Sequence, residues 1–216
     1  VPLHQRHGID VYEPANSRHE LPIVIFFYGG GWTTGSRQKF RFAGVALARR
    51  GFRVYVPDYR LYPQASHQDI LDDGAAALHY VRAEHPNAPL FLVGHSAGAH
   101  IAVLLGAMGA VPVDGVVALA APYQGGTIRP QRDLPPALLI APRNDAVVPV
   151  RNTDQLARDW SLRGPVTSRL YDRGGHALIV GALSPILRWT LPVMMDIMSF
   201  LHPLAFEQIK GSSEPT

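Results

Sequence analysis

Strand-like and helix-like stretches alternate along most of this 216-residue chain, which predicts an α/β fold: a three-layer α/β/α sandwich around a mostly parallel central sheet. Two further observations point the same way. The strand-like runs are apolar on both faces, as in a sheet covered by helices on each side. One of them, Leu90-Phe91-Leu92-Val93, passes through the glycine-flanked turn Gly94-His95-Ser96-Ala97-Gly98 directly into a stretch of small helix-forming residues.

Taken in order, Ile9–Glu13 and Pro22–Tyr28 read as strands because β-branched and aromatic residues fill them, and Gly29-Gly30-Gly31 ends the second. Gln38–Arg50 has helical spacing and stops before Gly51. Phe52–Pro57 is the third strand. His67–Glu84 is a helix that ends ahead of Pro86, and Pro89–Gly94 is the strand leading into the helix Ser96–Gly109. Gly115–Ala120 and Ala137–Ala141 follow as strands, then the helix Arg151–Arg163 before Gly164, then the strand Val166–Tyr171. The apolar stretch Ala177–Leu201 is interrupted by Pro185, Arg188, Pro192 and Asp196. It therefore falls short of the roughly 20 apolar residues of a spanning helix, and two core-packing helices are expected there.

Nearly half of the residues are apolar, enough to bury a substantial core. One domain over residues 1–210 is expected, with 211–216 a disordered tail. The net charge of +3 comes almost entirely from arginine. Arg37, Arg60, Arg82, Arg143 and Arg169 are scattered along the sequence, a pattern that argues against a nucleic-acid partner. With no cysteine, disulfides and thiolate metal sites are excluded. No charged-then-apolar leader is read at Val1, so the expectation is a soluble protein, cytoplasmic or secreted after signal removal. Oligomeric state is not legible.

In a parallel sheet the ligand site lies beyond the carboxyl ends of the strands, so a chemically active residue should fall just after a strand. Ser96 does. The glycines on either side of it suit a strand-to-helix turn in which backbones come too close for side chains, and the following helix aims free N–H groups at an anion forming there. A serine hydroxyl needs a positioned base. Of the ten histidines, His176 follows Val166–Tyr171 across Asp172-Arg173-Gly174-Gly175 and reaches the right edge. His4, His7, His19, His79, His85 and His202 lie elsewhere, and His95 and His100 sit too close to Ser96 in sequence, as packing or wall residues. Asp145, after Ala137–Ala141, would hold the imidazole in the productive tautomer. Asp172 shares a short loop with His176, and Asp58 sits in the turn after Phe52–Pro57; both read as turn-stabilising. The amides of Gly30, Gly31 and Ala97 supply a candidate oxyanion hole.

These residues resemble the hormone-sensitive-lipase and carboxylesterase branch of the α/β hydrolases. The likeness rests on Tyr28 through Trp32, Asp58-Tyr59-Arg60-Leu61-Tyr62-Pro63, the turn at Ser96, Asp145 through Pro149, and Gly175-His176. It implies an α/β-hydrolase fold and a carboxylesterase-type serine hydrolase (EC 3.1.1 class) acting on short to medium acyl esters through an acyl-enzyme, with no metal and no organic cofactor. Tyr28 stands where that branch usually carries histidine, a choice more like the cholinesterase-type branch. Pro122 to Leu134 is short where relatives insert a helical cap, so the cap is expected to be minimal or absent. The acyl pocket is then open and shallow, walled by Trp32, Tyr123 and Ala177–Leu187, and takes a small-molecule or polymeric ester. The motifs fit an aryl-formamidase or other amidase or peptidase-like hydrolase as well, and an acetyl- or feruloyl-esterase is a further option; a non-catalytic module that kept the fold is the other class of answer, and the presence of every required residue argues against it.

Overall fold

The computed structural model describes residues 8–15, 20–128 and 133–211, with side chains as far as Ala205. Among these residues seven strands form one sheet: β1 (Ile9–Tyr12), β2 (Ile23–Phe27), β3 (Arg53–Pro57), β4 (Leu90–His95), β5 (Gly115–Leu119), β6 (Ala137–Pro142) and β7 (Val166–Tyr171), in the order β1-β3-β2-β4-β5-β6-β7. Only β1 is antiparallel, pairing Ile9 with Pro57 and Tyr12 with Val54. All other neighbours are parallel. The strands begin and end within about two residues of where apolar runs place them, and every residue of β2, β4, β5 and β6 is buried.

Among the described residues six helices accompany the sheet: α1 (Arg41–Ala48), α2 (His67–Glu84), α3 (Ala97–Met108), α4 (Arg151–Ser161), α5 (His176–Gly181) and α6 (Val193–Gly211). Helix α2 starts on a reciprocal cap in which the Ser66 hydroxyl accepts from the Asp69 amide and the Asp69 carboxylate accepts from the Ser66 amide. α2, α3 and α4 cover one face; α1 and α6 lie together on the other, where His202 donates to the Arg50 carbonyl at 3.2 Å.

The C-terminal region differs from expectation. α5 and α6 are both present, but the segment between them is a series of turns that leaves Ile186 and Trp189 in solvent, so it is only partly core-packing. α6 continues past Leu201 and through Pro203. A proline removes one helical N–H, but the buried stripe Val193, Ile197, Leu201 and Ala205 at four-residue spacing keeps the helix seated. Gly211 ends this helix; the remainder of the expected tail, 212–216, lies outside the described residues. No helix among the described residues is long and apolar enough to cross a membrane. Among the described residues between Leu119 and Ala137, none belongs to a helix or strand.

The sheet order fixes where a ligand goes. From β2 the chain moves outward to β3, whereas from β4 it moves the opposite way to β5. The helices that follow β2 and β4 therefore part on opposite faces, opening a crevice at the carboxyl ends of these two strands.

Candidate active site

Ser96 stands at that crevice. β4 ends at His95 and α3 begins at Ala97, so Ser96 alone makes the turn, with φ 53° and ψ −123°. A serine held there costs on the order of 1–3 kcal/mol. The turn is clamped by Ser96 N–H donating to the Leu119 carbonyl at 2.8 Å and His100 N–H donating to the Ser96 carbonyl at 3.1 Å. The flanking glycines are required by close packing. A Cβ on Gly94 would fall 2.3 Å from the Gly98 carbonyl oxygen, and one on Gly98 would fall 2.1 Å from that of Phe27. α3 thus begins against the end of β2, which brings the glycine loop to the serine.

In that loop Gly30 and Gly31 both have positive φ, 143° and 58°. The Gly30 carbonyl turns away to accept from the amides of Thr33 and Thr34. Among the described residues, the amides of Gly30, Gly31 and Ala97 donate to no backbone carbonyl. Behind the loop, the Tyr28 hydroxyl donates to Asp58 at 2.8 Å, and Asp58 also accepts from the Arg37 amide and guanidinium. Tyr59 donates to the Tyr28 carbonyl at 2.7 Å. Burial, followed by the Asp58 charge, drives the Tyr28 hydroxyl pKa far up, so it stays a donor. Tyr28 is a strut for the loop, and Asp58 anchors it.

His176 enters from the loop after β7 and Asp145 from the loop after β6. Ser96 Oγ donates to His176 Nε2 at 2.8 Å, and His176 Nδ1 donates to Asp145 Oδ2 at 2.8 Å. The other carboxylate oxygen of Asp145 accepts from the amides of Val147 and Val148, each at 2.8 Å. Its side chain is fully enclosed, against 15% exposure for that of His176. Asp172, by contrast, is 93% exposed and paired with Arg143.

One participant has no signal in the sequence. His95 lies with its ring 4.9 Å from that of His176, and its Nε2 donates to the His176 backbone carbonyl at 3.0 Å. Burial lowers its pKa to about 4. The neutral ring faces Gly29 with Nδ1, which has no partner among the described residues. The residue before the serine thus grips the peptide of the histidine.

His100 is also neutralised by burial; its Nδ1 donates to the Pro122 carbonyl, and its Nε2 lies 3.1 Å from that of His67. Trp32 packs edge-on against both rings, so these three side chains form a wall one helical turn from Ser96. Tyr123 contributes differently from the pocket wall expected of it. It is only 3% exposed, and its hydroxyl, pushed up to about 12 by burial and by Asp159, donates to Asp159 at 2.7 Å. It ties the segment after β5 to α4. Among the described residues no three histidine or carboxylate side chains converge as metal ligands do. His4, His7 and His19 lie outside the described residues.

Compared with known proteins, the chain matches the family described as BD-FAE over residues 9–121. Versiconal hemiacetal acetate esterase of Aspergillus parasiticus is 34% identical over 115 residues, 50% of this chain and 37% of that protein. Kynurenine formamidase of Danio rerio is 32% identical over 108 residues, 49% of this chain and 37% of that protein. The chain spans only 37% of the length of each of these two curated relatives. Among solved structures, esterase B from Lactobacillus rhamnosis superposes with a TM-score of 0.79 at 21% identity, over 96% of this chain and 84% of that one. The fold is that of the α/β hydrolases.

Proposed function

Since this chain belongs to the BD-FAE family, we propose that it is a carboxylic ester hydrolase that works through an acyl-enzyme on Ser96. The observation that carries this reading is the unbroken hydrogen-bonded chain from Ser96 Oγ through His176 to Asp145. In the first half-reaction His176 Nε2 takes the Ser96 proton as Oγ attacks the ester carbonyl. The tetrahedral oxyanion is received by the amides of Gly30, Gly31 and Ala97, and the proton on His176 passes to the leaving alcohol. Water then repeats the sequence on the acyl-enzyme. Asp145 holds the His176 proton on Nδ1 and stabilises the imidazolium.

The stretch after β5, with neither helix nor strand among its described residues, supports an open site for short to medium acyl esters. Trp32 and His100 form one wall of it. A formamidase is the second reading, favoured by the similarity to kynurenine formamidase, because ester and amide cleavage use the same nucleophile, base and oxyanion donors.

The experiment is release of p-nitrophenol from acetate, butyrate and octanoate esters by the wild type and Ser96→Ala, with an aryl formamide run in parallel. Ester turnover that disappears in the variant is expected. Turnover of the formamide alone would move the assignment to the second reading, and a folded wild type inert on all four would end both.

A further inference from the structure

Arginines that are far apart in the sequence meet in space. Between α1 and the turns joining α5 to α6 runs a groove of about 980 Å³ whose lining includes Lys39, Arg41, Arg49, Arg50, Arg173 and Arg188 and, among the described residues, no carboxylate. None of these six cations makes a salt bridge among the described residues. Together they exceed the net charge of the whole chain, +3, so the rest of the molecule is net negative. The floor is apolar, with Phe42, Leu183, Leu191 and Met194.

Two residues that line the groove stand largely in solvent, Trp189 at 80% exposure and Met195 at 67%, and the Arg188 guanidinium lies 4.6 Å over the Trp189 ring. Large apolar side chains that stand out beside unpaired cations fit a soft interface better than a preformed protein pocket, because they enter the acyl layer while the cations meet headgroups. Tryptophan favours that depth in particular.

We propose that this face is a docking surface for an anionic phospholipid membrane, bound peripherally through Trp189, Met195 and the surrounding arginines. The charge complementarity is one-sided enough to choose the partner: six cations and no carboxylate among the described lining residues repel a second copy of the same face, and the exposed apolar side chains have no role against a purely polar polyanion. Arg173 lies three residues before His176, and Leu191 packs on Gly174 between them. Docking therefore places the loop that carries His176 at the membrane. The inference does not depend on the reaction assigned to Ser96, since binding is read without turnover.

The test is flotation with vesicles of phosphatidylcholine alone or with phosphatidylserine added, using the wild type, Trp189→Ser/Met195→Ser and Arg173→Gln/Arg188→Gln, each checked for fold by circular dichroism. Wild type is expected to float with the anionic vesicles only, and to be released as salt is raised from about 0.1 M to about 1 M. Losing two cations should weaken partition roughly 25-fold, taking about fivefold for each, and the apolar pair should weaken it at least tenfold while hydrolysis of a water-soluble ester stays unchanged in both variants. The proposal is overturned by absence of flotation, by equal binding to neutral vesicles, by either variant floating like wild type, or by a wild type that binds polyglutamate or duplex DNA but no vesicle.

Discussion

Replacing Asp145 by asparagine changes almost no contact in the site and should nevertheless disable it. Oδ1 of Asp145 receives two backbone amides at 2.8 Å, so an asparagine there must place its carbonyl oxygen in the same spot. Its NH₂ group then faces His176 Nδ1, where the carboxylate now accepts at 2.8 Å. Two donors cannot face each other, so the imidazole proton moves to Nε2 and the nitrogen that should take the Ser96 proton already holds one. The expected fall in kcat is about 10⁴, or roughly 5.5 kcal/mol of transition-state stabilisation, with KM little changed. The fold should lose only about 1–2 kcal/mol, because the hydrogen bonds survive without their charge. Steady-state kinetics on p-nitrophenyl butyrate, with urea unfolding alongside, measures both. Asp172→Asn is the control: its exposed carboxylate, paired with Arg143 at the surface, should leave turnover intact. If Asp145→Asn keeps kcat within tenfold of wild type, or Asp172→Asn loses it, the orienting role assigned to Asp145 is wrong.

Two further outcomes are expected. In Gly30→Ala the added Cβ would sit 2.2 Å from the Thr34 carbonyl oxygen and turn the loop amides away from the oxyanion; kcat should drop about 10²–10³-fold while the melting temperature moves by only a few degrees, and unchanged kcat in the folded variant would remove Gly30 from the oxyanion hole. His95 is held neutral with a pKa of about 4, below the ordinary value near 6.5, so between those pH values the unfolded chain binds a proton the native state refuses. Stability from this group is complete above pH 6.5 and declines by up to about 3 kcal/mol as pH falls through 4. Urea midpoints at about pH 7 and pH 4.5 should therefore converge in His95→Gln relative to wild type; an identical acid loss in both proteins would contradict this.

The sheet was legible because buried parallel strands read as unbroken apolar runs, and the site because its residues had to follow strands. That rule selected Ser96, Asp145 and His176 from a chain with ten histidines, and the three meet within hydrogen-bond distance. It could not foresee His95, whose bond to the His176 carbonyl joins residues 81 positions apart and leaves no local pattern. Tyr123 shows the converse error: an aromatic just past a strand looks like a pocket wall until its hydroxyl is found spoken for by Asp159. Nor does linear spacing reveal the arginine groove, since its cations come from α1 and the residues flanking it, the His176 loop and the turns before α6.

The bond from His95 to the backbone of His176 has a further implication for how the site responds to strain. β4 and β7 are separated by β5 and β6, yet the base is tethered to the residue preceding the nucleophile. Any shear of the sheet that carried β7 away from β4 would load this tether and the Asp145 contact together, so the reacting pair should drift as a unit or disengage in one step. Partial misalignment, in which the serine remains poised while its base wanders, is the state that this cross-tie removes.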